Sequence, residues 1–117
     1  MRHVYFLLAV LVILLGLTHT IATFFLFAEM NGRALWFASA GLLLIVTGML
    51  NLLNRAYGRA APGLRWACVA TNAAMFVFAI LAGHAGAASD LQLVFVVGLM
   101  GAAALVSTLP AATAPNA

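Results

Sequence analysis

The chain has 117 residues, 67% hydrophobic and 6% charged, with five Arg against one Glu and one Asp, and a mean hydropathy of +1.18. That composition excludes a water-soluble globular domain, a nucleic-acid-binding surface and phosphate cradles, which all need polar surface or Gly-rich loops. One cysteine, Cys68, excludes an intramolecular disulfide framework and a Cys-based metal site.

The first apolar run covers residues 4–28, about 37 Å as a helix and enough to cross a ~30 Å hydrocarbon core. It exceeds the ~7–15 residues of a signal-peptide core and so reads as a span. Sixteen of its residues are Leu, Ile, Val or Phe, which favours insertion strongly enough to carry several polar groups. Asn31-Gly32 then supplies turn chemistry, and a second helix is expected over residues 34–53. The stretch 54–63, with Arg55, Arg59 and Pro62-Gly63, reads as the longest loop. A third helix follows over 64–82; it holds seven large aliphatic or Phe residues and six Ala, so it is expected to pack among the others. The small-residue connection 83–90 leads to a fourth helix over 91–109, stopped by Pro110, and residues 111–117 read as a frayed tail.

These runs lack the alternation of a lumen-lining strand, and backbone amides in lipid must be satisfied within each segment. The expectation is therefore an all-α four-transmembrane-helix bundle, a single membrane domain over residues 1–117. Arg2, Arg55, Arg59 and Arg65 fall on one side and Arg33 on the other. The positive-inside rule then places both termini in the cytoplasm of a cell with the bundle in its inner membrane. Tyr5, Trp36, Tyr57 and Trp66 lie near helix ends, where amphipathic rings sit at headgroup depth.

Two sets of polar residues carry the functional expectations. His19 is an ionisable group inside the first span, which marks a site hypothesis. Matching depth from the helix centres groups it with Thr23, Ser39 and Asn72, and pairs His19 with Asn72. On the second helix Phe37, Gly41, Leu44, Gly48, Asn51 and Arg55 form a stripe at three-and-four spacing, with Asn51 and Arg55 making its inner face polar. On the fourth, Gly98 and Ala102 form a small-xxx-small pair suited to tight helix contact. Glu29, His84 and Asp90 share the outer side and have metal-donor chemistry, but their spacing assigns no metal. The arginines read first as topology determinants and contacts for anionic lipid. Cys68 reads as a small buried thiol.

Gly16-Leu17-Thr18-His19, Leu35-Trp36-Phe37 and Thr47-Gly48 followed by Asn51-Leu52-Leu53 give a chain that resembles small bacterial four-helix membrane proteins, loosely DoxX-like. The resemblance is architectural and implies no catalytic residue. Small multidrug transporters share the length and helix count, yet rely on a carboxylate inside the first helix, where this chain has His19.

With no paired acid and base and no cofactor motif, the first functional expectation is a non-enzymatic membrane protein, embedded in the lipid bilayer. It would associate with itself or with another membrane protein, and with no nucleic acid. A proton-coupled carrier using His19 is the second. A haem- or quinone-binding redox subunit is the third, with the haem form needing two copies of His19. The sequence names no cofactor.

Overall fold

The computed structural model describes residues 1–115, and among them the chain is all-helical. Four helices run α1 (Arg2–Leu26), α2 (Gly32–Tyr57), α3 (Pro62–His84) and α4 (Asp90–Ser107), followed by a 3₁₀ turn at Pro110–Ala112. All four are long and apolar enough to cross a membrane. The bundle measures 51 × 22 × 22 Å.

Local chemistry sets the boundaries. Asn31 caps α2 by accepting from the Ala34 amide at 3.0 Å. Pro62 opens α3 at a position where its missing N–H costs nothing. Ser89 and Gln92 form a reciprocal capping box at the start of α4. At the end of α3 the Ala87 amide reaches the Ala82 carbonyl and the Gly86 amide reaches Gly83. This closure needs a left-handed residue, and Gly86 supplies it at φ 70°.

The tightest interface joins α1 to α2. A Cβ on Gly16 would lie 2.6 Å from the Gly41 carbonyl oxygen, and one on Gly48 would lie 2.8 Å from the Ala9 carbonyl oxygen. The two backbones touch where the side chains vanish. Val12, Leu44, Leu99 and Met100 form the buried apolar centre, with Leu8, Leu15, Met75, Phe76 and Val96 packed around it. Gly41, Leu44, Gly48 and Asn51 of the expected α2 stripe are all buried.

Several sequence-based expectations are corrected. The stretch 54–63 is not the longest loop: α2 continues to Tyr57 and only residues 58–61 connect it to α3. Asn54 belongs inside the bundle, at 0% exposure, which keeps the helix running past it. The third helix is peripheral rather than central, since Cys68 and Asn72 are its only buried residues. Trp66, Val77, Phe78 and Leu81 face outward, and an apolar outer face needs no protein cover in lipid. On α4 the packed residues are Leu99, Met100, Ala103 and Ser107, whereas Gly98 is exposed with nothing near its missing Cβ. The expected fraying of 111–117 fails as far as the structure is described: Ala112 and Thr113 are buried, and the Ala114 amide donates to the Arg55 carbonyl at 2.7 Å. Residues 116 and 117 lie outside the described residues.

Candidate functional site: a buried carboxamide network

The polar centre of the molecule lies toward its arginine-rich end. The Tyr5 hydroxyl of α1 donates to Asn51 Oδ1 at 2.7 Å and accepts from Asn54 Nδ2 at 2.9 Å. Asn51 and Asn72 form a head-to-head carboxamide pair, with Asn51 Nδ2 donating to Asn72 Oδ1 at 2.8 Å and Asn72 Nδ2 donating back to Asn51 Oδ1 at 2.9 Å. Asn51 Nδ2 also reaches the Thr47 carbonyl at 2.8 Å. Cys68 Sγ sits 3.5 Å from the Tyr5 hydroxyl and 3.4 Å from Asn51 Oδ1. From α4, the Ala103 and Ser107 carbonyls accept long bonds from Asn72 and Asn54. Tyr5, Asn51, Asn54, Cys68, Asn72 and Ser107 are all fully buried.

All four helices therefore meet in one hydrogen-bonded cluster. A buried amide without partners is costly, so these side chains have few alternatives to the observed alignment of the helices. One atom breaks the closure: Asn54 Oδ1 is buried without a partner. No imidazole or carboxylate stands among the cluster's hydrogen-bonding partners. The arrangement satisfies donors and acceptors across all four helices, which fixes helix register.

Around the cluster the arginines tie down the ends. Arg65 Nη2 donates to the Thr108 carbonyl. Arg59 Nε donates to Thr113 Oγ1 at 3.0 Å and to the Pro110 carbonyl, which Arg59 Nη2 also reaches. Cations at the last carbonyls of α4 also suit the negative end of its dipole. Arg55 Nε donates to the Arg2 carbonyl at 2.9 Å, and its guanidinium lies 5.2 Å from the Phe6 ring centre.

His19 lies elsewhere. Its ring stacks on Phe37 with centroids 3.8 Å apart and planes 17° from parallel. The hydroxyl of Thr23 turns back to the His19 carbonyl at 3.2 Å and that of Ser39 to the Leu35 carbonyl at 2.7 Å. The expected pairing of His19 with Asn72 is thus replaced by two separate groupings. Fourteen residues separate His19 from Tyr5, about 21 Å along α1. Depth matching from helix centres fails because the helices are staggered: Asn72, mid-way along α3, hydrogen-bonds to Asn51, which lies in the last third of α2.

Tyr5 is the residue that sequence reasoning misplaced, since a Tyr near a helix end fits headgroup depth equally well. Trp36, Tyr57 and Trp66 do lie exposed. The signal for Tyr5 was available in Asn51 and Asn54, one turn apart on α2, whose amides needed a partner on a neighbouring helix. Among the described residues no three His, Cys, Asp or Glu side chains gather to hold a metal ion.

Comparison with protein-family models, with curated proteins and with solved structures finds no match to this chain.

Proposed function

We propose that this chain is a non-enzymatic four-helix membrane protein that works by lateral association, with further copies of itself or with another membrane protein. The observation that carries this reading is the outward placement of Gly98, exposed and with open space where a Cβ would stand. One turn along the same face Ala102 is only half-buried. Small residues on an outward surface let a second helix approach closely, and nothing in the chain stands within 4 Å of the missing Cβ of Gly98. The inward-facing polar groups, Asn54 Oδ1 excepted, are meanwhile occupied with one another.

The four-to-one arginine distribution supports an inner-membrane orientation with the arginine-rich end in the cytoplasm. The carrier reading has less support, because His19 rests on Phe37 and has no hydrogen-bonded relay to the carboxamide network.

The test is the oligomeric mass in mild detergent by native mass spectrometry, alongside crosslinking in native membranes. A wild-type assembly is expected, and Gly98→Leu combined with Ala102→Leu should disperse it without unfolding the bundle. A strictly monomeric wild type that crosslinks to no partner would overturn the proposal.

A further inference from the structure

At the arginine-rich end a cleft of about 370 Å³ opens between the start of α1 and the end of α2, lined by Met1, Arg2, His3, Arg55 and Ala111. The four arginines at this end divide into two kinds. Arg59 and Arg65 each give Nη2 to a carbonyl beyond the end of α4, those of Pro110 and Thr108. Arg55 uses only Nε, and the Arg2 side chain has no hydrogen bond among the described residues. It is these two that line the cleft.

Among the described residues no acidic side chain balances them. Glu29 lies between α1 and α2 and Asp90 begins α4, both at the opposite end of the bundle. The first turn of α1 adds to the same field, because it contains no acidic residue and its N-cap makes no side-chain hydrogen bond. Its leading amides therefore keep donors that no side chain of the cap satisfies, at the end of the helix that carries the positive pole of its dipole. The Arg55 guanidinium lies over Phe6, and on that same face of α1, at helical spacing, Phe6 and Leu17 are exposed with Val10 half-buried between them, an apolar track that runs on from the cationic groups.

We infer that this cleft binds the phosphate of an anionic glycerophospholipid, with Arg2 and Arg55 as its ligands and an acyl chain lying along Phe6, Val10 and Leu17. Guanidinium groups match phosphate oxygens in a planar fork, and the apolar track separates a lipid from a free anion. The inference stands apart from the association reading, since one chain supplies every residue of the cleft.

The experiment is native mass spectrometry of the full chain in detergent with phosphatidylglycerol, phosphatidylcholine or inorganic phosphate added separately. Phosphatidylglycerol should be retained at one per chain and at least tenfold more tightly than phosphatidylcholine. Inorganic phosphate alone should not be retained. Arg2→Gln should lower that retention at least fivefold. Because Arg55 also holds the Arg2 carbonyl, Ala111→Trp serves as the second variant, filling the cleft while leaving every charge in place; it should abolish the preference with the helical content unchanged. Equal retention of both lipids, or retention that survives both substitutions, would overturn the assignment. Inorganic phosphate bound as tightly as phosphatidylglycerol would overturn the lipid in favour of a free anion.

Discussion

Asn51 and Asn72 share two hydrogen bonds, yet replacing each with the near-isosteric Leu should have unequal consequences. In Asn72→Leu, Asn51 keeps the Tyr5 hydroxyl on Oδ1 and the Thr47 carbonyl on Nδ2. The two short bonds to Asn51 disappear together with the long ones to the Cys68 sulfur and the Ala103 carbonyl, and no buried amide is stranded. At about 0.6–1 kcal/mol per bond the cost is about 1–2 kcal/mol. In Asn51→Leu the Tyr5 hydroxyl loses its 2.7 Å acceptor. Asn72 is left with only the Ala103 carbonyl at 3.5 Å and the Cys68 sulfur at 3.6 Å. Stranding a buried amide adds its desolvation penalty, which brings the total to about 3–4 kcal/mol. The double variant removes the stranded amide as well and should cost less than the sum of the two, near the Asn51→Leu value. Equilibrium unfolding in mixed micelles of rising dodecyl sulfate fraction, followed by the fluorescence of Trp36 and Trp66, measures all three. Equal costs for the single variants, or a larger cost for Asn72→Leu, would refute the placement of Asn51 at the hub.

The α1–α2 contact makes a second prediction: Gly16→Ala and Gly48→Ala should each destabilise by about 1–3 kcal/mol, since each new methyl group meets backbone. Gly32→Ala, with nothing near its missing Cβ, should be close to neutral in the same titration. Cys68 is buried at 0% exposure, so a maleimide should label it only after unfolding; rapid labelling of the folded protein would contradict its position.

The number of helices and their approximate extents were legible because apolar runs broken by Asn-Gly, Pro-Gly and Ser-Asp leave little choice. The α2 stripe was legible too, since Gly41, Leu44, Gly48 and Asn51 share one face of a regular helix. What escaped was everything that depends on how one helix is offset against another. Periodicity places Asn72 on a face of α3 but gives no height relative to Asn51. The same limit hid Tyr5, which a shift of a few residues moves from headgroup depth to the centre of a polar cluster. Gly98 shows a related limit: a small-xxx-small pair at helical spacing does not say which face of the helix the bundle covers. The tail looked unstructured because Ala, Thr and Pro carry little apolar signal, and its order comes from arginines fifty residues earlier.

The carboxamide network also sets an order of completion during synthesis. Tyr5, Asn51 and Asn54 belong to the first two helices, which leave the ribosome together, so the earliest hairpin already contains the hydroxyl that satisfies an amide on either side of it. Asn72 arrives with the third helix and completes the reciprocal pair. The carbonyls that receive Asn54, Arg65 and Arg59 come last, at Ser107, Thr108 and Pro110. A chain halted before them carries unanswered donors at the end of its bundle, and only a finished one can retire them.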